Sequence, residues 1–215
     1  MKEIHLQRVA PAEIEQRSME IIASEMGTTS FTQEQLPIVK RCIHTSADFD
    51  YVKNLRFTAG AVEAGLAAIR AGCTIVTDTQ MARSGINKKV LGKFGGQAVC
   101  FMSDEDVAAE AKARGETRAT VSMERAAALE GPVILAIGNA PTALVRACEL
   151  MEAGRFSPAL VIGVPVGFVN VVESKELLLT MDVPHIVARG RKGGSNIAAT
   201  ICNAILSMAS GNARE

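Results

Sequence analysis

His44 is the residue of this chain whose type and neighbours best suit proton chemistry. It lies in the segment RCIHTSADFD, where Thr45, Ser46, Asp48 and Asp50 follow closely and could orient an imidazole at the end of a helix. Histidine has an unperturbed pKa of about 6.5, so it can give and recover a proton near neutral pH. A lone histidine is more often a structural residue, and the spacing alone leaves both interpretations open.

The other histidines and the cysteines indicate structural positions. His5 lies in a charged terminal stretch, and His185 opens an apolar strand after Pro184. The five cysteines are scattered and form no CxxC pair, which predicts reduced, buried thiols in a cytoplasmic protein and no zinc site. They are Cys42, Cys73, Cys100, Cys148 and Cys202.

The segment RGRKGGSN combines basic side chains with flexible backbone. Arg189, Arg191 and Lys192 stand beside Gly193-Gly194-Ser195, just before a predicted helix over residues 197–208. Glycine-rich backbone at a helix N-terminus suits an anion, so this loop is a candidate anion site. The pattern is neither a Walker A motif nor GxGxxG, so it does not select a nucleotide.

Two further segments carry candidate ligand-facing residues. The apolar run 74–78 ends at Asp78 and is followed by the predicted loop TQMARSG, which adds Met81 and Arg83; Asp78 could equally cap a turn. Arg118 falls in the first turn of a predicted helix over residues 117–129. A cation is disfavoured there unless an anion is near.

The stretch 133–175 predicts a strand, a helix and a second strand. Val133–Ile137 is a short apolar run that ends at Gly138, Pro141 suits the first turn of a helix, and the run 158–163 ends at a second turn, Val164-Pro165-Val166-Gly167. Parallel neighbours of this kind bind ligands outside their carboxyl ends. The two glycine turns are therefore expected to share one crevice.

The whole chain predicts one α/β domain over residues 1–215. Five buried strands, TIVTD, AVCF, VILAI, ALVIG and HIVA, alternate with helices. This order is typical of a doubly wound, mainly parallel five-stranded sheet with helices on both faces, close to flavodoxin-like. Other helices are predicted over residues 11–26, behind a capping box at Thr32 to Gln35, and over 59–71, 86–91 and 104–113.

Composition argues against several classes of function. The formal net charge is zero, from 23 basic and 23 acidic residues, with one Tyr, seven Phe and no Trp. Such a chain has no basic field or aromatic platform for nucleic acid. The longest uncharged run, 157–172, is too short and too broken by Pro and Gly to span a membrane, and the first sixteen residues are too charged for a signal peptide.

Several motifs together resemble a known family. They are QRSMEII, RCIHTSAD, TDTQM, ETRA, AIGNAPTAL, GVPVGFVNVVESK and RGRKGGSN, in this order and over nearly the whole length. The chain resembles the precorrin-8X methylmutase family, which includes cobalt-precorrin-8 methylmutases. Only the middle segment, including residues 88–97, matches poorly.

The resemblance implies an isomerase that moves the ring C methyl of a modified tetrapyrrole from carbon eleven to carbon twelve, an acid-assisted sigmatropic shift yielding hydrogenobyrinate or cobyrinate. No cofactor is implied, and the protein is expected to be a homodimer. By motif position His44 corresponds to the proton donor. Residues implied near the substrate are Ser18, Arg41, Arg118, Asn139, Thr142 and the segment RGRKGGS, although a serine inside a helix usually bonds to its own backbone.

Such chemistry fits the residues. Protonating a ring nitrogen makes the macrocycle electron-poor at the receiving carbon, and general acid catalysis contributes roughly 10² to 10⁴ in rate. Arginines 41, 118, 189 and 191 suit the carboxylates at the rim of such a pigment. A tetrapyrrole- or nucleotide-binding module without catalysis, and an enzyme using a nucleotide at Gly193-Gly194-Ser195, are the alternatives. The sequence does not select the cobalt-containing or the cobalt-free substrate.

Overall fold

The computed structural model describes residues 9–211. Its strands are β1 (Leu55–Phe57), β2 (Thr74–Thr77), β3 (Gln97–Val99), β4 (Val133–Ile137), β5 (Leu160–Gly163) and β6 (His185–Ala188). Its helices are α1 (Ile14–Glu25), α2 (Leu36–Ser46), α3 (Tyr51–Asn54), α4 (Ala61–Arg70), α5 (Gln80–Gly85), α6 (Lys88–Lys93), α7 (Glu105–Arg114), α8 (Arg118–Ala127), α9 (Pro141–Glu152), α10 (Val171–Leu179) and α11 (Ser195–Ala209). Two 3₁₀ turns, Pro11–Glu13 and Phe101–Ser103, complete the regular structure of this range.

The sheet has six strands in the order β1-β6-β5-β4-β2-β3. The five predicted strands are β2 to β6, and they are parallel. The prediction of a five-stranded sheet is wrong by one edge strand, since β1 pairs antiparallel with β6 through Leu55 and Ala188 and makes the sheet mixed. Only three residues long, β1 gives no usable hydrophobic pattern in the sequence.

Helices cover both faces of the sheet, as predicted. All five residues of β4 are buried, and they alternate between two apolar clusters because successive strand residues point to opposite faces. Ile134 packs in the cluster that contains residues of α2, α4 and α11. Leu135 packs in the cluster built by α8, α9 and α10.

Side-chain hydrogen bonds mark the starts of two helices that bear on the site. The predicted capping box forms, since the Thr32 backbone N–H donates to Gln35 Oε1 at 3.1 Å and the Gln35 N–H donates to Thr32 Oγ1 at 3.4 Å. The segment TQMARSG, predicted as a loop, instead contains α5, whose N-terminus is capped by Thr79 Oγ1 accepting from the Ala82 N–H at 3.1 Å. From residue 9 to residue 211, no helix combines the length and the apolar character that crossing a membrane would require.

Candidate active site

His44 lies in the last turn of α2, with its side chain exposed to solvent. The helix packs along α11, where Thr45 Oγ1 and Thr200 Oγ1 are 3.0 Å apart. It ends because Ala47 adopts the left-handed conformation, with φ 53°. A non-glycine residue in this region is strained and persists only where its surroundings enforce it. The helix end predicted for His44 is thus confirmed.

The polar neighbours of His44 do not orient its ring. Ser46 Oγ donates to the Cys42 carbonyl at 2.7 Å, and Asp48 and Asp50 both pair with Lys192. Among residues 9–211 the imidazole forms no hydrogen bond. An exposed ring with no partner in the described part of the chain is available to a ligand.

Lys192 joins the segment Arg189–Ser195, called here the 189–195 loop, to the turn after α2. Its Nζ lies 2.6 Å from Asp48 Oδ2 and 2.6 Å from Asp50 Oδ2. The ammonium lowers the pKa of Asp48, and the two carboxylates raise the pKa of Lys192. The loop predicted from RGRKGGSN and the segment that carries His44 are therefore neighbours.

The two arginines of this loop also have partners within the chain. Arg189 Nε lies 2.8 Å from Glu176 Oε1, and the Arg191 guanidinium carbon lies 5.3 Å from the ring centroid of Phe168. Both arginines are exposed, so a ligand could still reach them. All three cations of the loop therefore have partners within the chain, which are carboxylates for Arg189 and Lys192 and an aromatic ring for Arg191.

The glycines of the loop serve close contacts between backbone segments. A Cβ on Gly193 would overlap the carbonyl oxygen of Val164, and the Gly194 N–H donates to that oxygen at 2.9 Å. Gly138 is equally restricted, because its Cβ would lie 2.7 Å from the Ser195 backbone nitrogen. The two glycine turns are in contact, since the Val166 N–H donates to the Gly138 carbonyl at 3.3 Å, and the 189–195 loop packs against both; a ligand crevice shared by the turns stays a prediction.

The Asp78 carboxylate fixes the glycine turn after β4 through hydrogen bonds to its backbone. Asp78 is buried, and its carboxylate accepts the backbone N–H groups of Gly138, Asn139 and Ala140 at 2.9, 2.7 and 2.6 Å. Burial raises the pKa of Asp78, and the three N–H donors oppose that rise. These bonds support the alternative that Asp78 caps a turn rather than faces a ligand.

The residues that follow Asp78 in the chain, Thr79, Met81 and Arg83, occupy different environments. Thr79 Oγ1 and Ser195 Oγ are 2.7 Å apart, which joins the end of β2 to the start of α11. Met81 is 71% exposed, so it remains a candidate ligand contact. Arg83 donates from Nε to the Ala98 carbonyl at 3.0 Å and is used in the fold.

Arg118 and Thr142 lie at the starts of α8 and α9, which cover the face of the sheet opposite to α2 and α11, and Asn139 lies in the turn after β4. Thr117 caps α8, and its Oγ1 lies 3.2 Å from Thr142 Oγ1 at the start of α9. A groove of about 260 Å³ runs beside Thr142 and Asn170. Arg118 is exposed, and the one hydrogen bond of its guanidinium among the described residues is the donation from Nη1 to the Met102 carbonyl at 3.4 Å.

Ser18 and Arg41 belong to α1 and α2. Ser18 Oγ donates to the Ile14 carbonyl at 2.8 Å, as a mid-helix serine commonly does. Arg41 stands one turn before His44 and lies 3.4 Å from Glu15, beside a groove of about 330 Å³. Arg41 and His44 are neighbours on the helix surface. His5 lies outside the described residues.

Sequence reasoning missed Lys175, whose side chain is fully buried in α10. Its Nζ donates to the carbonyls of Gly190 and Lys192 at 2.7 and 2.9 Å. Burial lowers the pKa of Lys175 to about 8. The helical spacing from Val171 to Leu178 could have placed it on the buried face. Across residues 9–211 no group of His, Cys, Asp and Glu side chains is arranged to hold a metal ion.

Comparison with known proteins places this α/β chain in the class of isomerases called methylmutases. The family model described as precorrin-8X methylmutase matches residues 13–208. The chain belongs to the precorrin-8X methylmutase family.

Relatives with either substrate name are similar over most of their length. A cobalt-precorrin-8 methylmutase of Priestia megaterium is 47% identical over 201 residues, covering 94% of this chain and 89% of the relative. A precorrin-8X methylmutase of Pseudomonas aeruginosa is 39% identical over 195 residues, covering 89% and 93%. A crystal structure described as precorrin-8x methyl mutase from Thermus thermophilus superposes with a TM-score of 0.86 at 42% identity, covering 94% and 98%.

Proposed function

We propose that this protein acts in corrin (cobalamin) biosynthesis. It moves the ring C methyl group of precorrin-8X or cobalt-precorrin-8 from carbon eleven to carbon twelve, giving hydrogenobyrinate or cobyrinate. The names of the relatives and the family match over residues 13–208 support this substrate class. The methyl donor and acceptor are one molecule, so the proposal requires no cofactor.

His44 is the proposed proton donor, and its geometry is the observation that carries the proposal. The ring is exposed at the end of a helix, and no protein group from residue 9 to residue 211 competes for its nitrogens. It donates a proton to a ring nitrogen of the pigment and recovers it after the methyl group has moved. A positioned general acid of this kind contributes about 10² to 10⁴ in rate.

The arginines of the candidate site suit a flat pigment with carboxylates at its rim, and of these Arg118, Arg189 and Arg191 are exposed while Arg41 is half-buried. Arg118 has no acidic partner among the described residues, so it is the first choice for a rim carboxylate. Phe168 and Val169, 80% and 77% exposed, can cover the apolar face of the macrocycle. Arg41, Arg189 and Arg191 would exchange or share their present partners.

We also infer a cytoplasmic homodimer with a flavodoxin-like fold. The grooves beside Thr142 and beside Arg41, of about 260 and 330 Å³, are small for a tetrapyrrole and His44 lines neither of them, which supports a site completed by a second copy. The five free, buried cysteines fit a reducing compartment. The parallel strands run β3-β2-β4-β5-β6, which is the order 2-1-3-4-5 of flavodoxin-like sheets. Light scattering should give twice the mass of one chain.

The test is turnover by His44→Ala followed by absorbance of the pigment. The variant should bind product with nearly unchanged affinity but convert substrate about 10² to 10⁴ times more slowly. Substrates with and without cobalt should be assayed in parallel, because the macrocycle rather than the protein would hold the metal. A normal rate for the variant would exclude His44 as the acid.

A further inference from the structure

No hydrogen bond among residues 9–211 holds the His44 ring, so its position is set by the backbone of α2, which is fixed by packing on α11 and by the turn that ends the helix. The turn that follows is bonded within itself: the Asp48 N–H donates to Ser46 Oγ at 3.2 Å, and the Asp50 N–H donates to Asp48 Oδ1 at 2.9 Å. Asp48 and Asp50 then bracket the Lys192 ammonium at 2.6 Å each. One cation therefore fixes the turn against the 189–195 loop.

The backbone of Lys192 is also held in place by hydrogen bonds. Its carbonyl accepts from the buried ammonium of Lys175 at 2.9 Å, and the same ammonium donates to the Gly190 carbonyl at 2.7 Å. Exposed ion pairs are usually weak, partly because ordering two long side chains costs entropy. Here the backbone of Lys192 is already ordered from the interior, so less of that cost remains.

We propose that Lys175 and Lys192 are positioning residues for His44: Lys175 fixes the loop backbone, and Lys192 fixes the turn after α2. The inference rests on the proposed acid role of His44. Neither lysine has to touch the pigment. Their contribution is to hold the imidazole where it meets a ring nitrogen, and a displacement of about 1 Å at a reacting group can cost 10²-fold in rate.

Lys192→Met removes the bridge at an exposed position, where folding should be retained. We expect kcat to fall by about 10- to 100-fold while KM changes by less than about threefold. Lys192→Arg should restore most of kcat because it can still pair with both aspartates. Arg125→Met is the matched control, since Arg125 also bridges two acids, Asp106 at 2.9 Å and Glu110 at 3.2 Å, away from the site. It should leave kcat unchanged.

The same substitution in a His44→Ala background separates this inference from the proposed function. If Lys192 acts through His44, Lys192→Met should cause no further loss there, whereas an equal loss in both backgrounds would overturn the inference. A normal rate for His44→Ala alone would instead overturn the acid role.

The position of the His44 ring can also be followed by a measurement that does not depend on enzyme activity. The His44 ring signals in NMR spectra should shift in Lys192→Met and in Lys175→Met, and stay in place in Arg125→Met. Unchanged His44 signals in Lys192→Met would overturn the inference, whatever the kinetics. If Lys175→Met does not fold, the Lys192 variants carry the test alone.

Discussion

The carboxylate of Asp78 accepts the backbone N–H of Asn139 at 2.7 Å, so a buried residue at the end of β2 holds the turn that follows β4. Gly138 and Ala140 donate to the same carboxylate. Three consecutive N–H groups form a concave anion site of the kind that loops offer to ligands. In this protein a side chain of the chain itself fills that site, and the turn is ordered before any substrate arrives.

Asp78→Asn should therefore destabilise the fold. The amide would place an NH₂ group against backbone donors, and a buried donor left unsatisfied costs about 1 to 3 kcal/mol, more where a charge is involved. Thermal or urea unfolding should show a loss of about 2 to 3 kcal/mol. Asp104→Asn, at an exposed position without a side-chain cap bond, is the control and should change stability little. Equal stabilities of the two variants would contradict the clamp.

Arg118→Ala should weaken product binding. If Arg118 pairs with a rim carboxylate, its removal costs about 1 to 3 kcal/mol, or roughly 5- to 150-fold in Kd. Calorimetric titration with product measures this directly. Arg70→Ala, at the exposed C-terminal end of α4, is the control. Unchanged affinity in Arg118→Ala, together with unchanged affinity in Arg41→Ala, would remove the arginine clamp.

Glu124 should make the fold sensitive to acid. It accepts from Arg114 Nη2 at 2.8 Å and from Arg146 Nη2 at 2.7 Å, and these pairs lower the pKa of Glu124 to about 2 from its ordinary 4.5. The stabilisation is fully present above pH 4.5 and is lost as pH falls from there towards 2. Relative to Glu124→Gln, the wild type should be more stable by about 1 to 2 kcal/mol at neutral pH and nearly equal at pH 2. A difference that does not depend on pH would refute this.

Lys175 should also make stability rise with pH, but in an alkaline window and because burial disfavours its ammonium in the folded state. Burial lowers the pKa of Lys175 to about 8 from its ordinary 10.5, so the unfolded chain binds more protons between these values. Stability therefore rises with pH in that window. The free energy of unfolding of the wild type, measured by urea unfolding relative to that of Lys175→Met, should increase by about 1 to 3 kcal/mol between pH 8 and pH 10.5. A loss over this range would show that the ammonium is preferred in the folded state.

The sequence predicts the parallel core well because buried strands are short apolar runs bounded by Gly and Pro. It does not predict β1, where LRF is buried at Leu55 but exposed at Arg56. It also fails at α5, because Ser84 and Gly85 suggest a loop while the deciding cap at Thr79 is a single side-chain bond.

The candidate site likewise has one part that the sequence predicts and one part that it does not. The helix end at His44 follows from local periodicity, which one segment of sequence contains. The ion pair that fixes the turn after this helix does not follow from local sequence, because Lys192 and Asp50 are separated by 142 positions in the chain and meet only in the folded state. The residue types indicated a charged loop, but the partner of each charged side chain is determined by the tertiary structure and cannot be predicted from one segment of sequence.

The charge balance of the 189–195 loop has a consequence for how a ligand arrives. Arg189, Arg191 and Lys192 contribute three positive charges, and Glu176, Asp48 and Asp50 contribute three negative ones, so these six charges balance and only the buried Lys175 ammonium beneath the loop is left over. Long-range attraction of a polyanion needs an unbalanced field. Capture of a pigment at this rim is therefore governed by contact after diffusional encounter, and its association rate should respond only weakly to ionic strength.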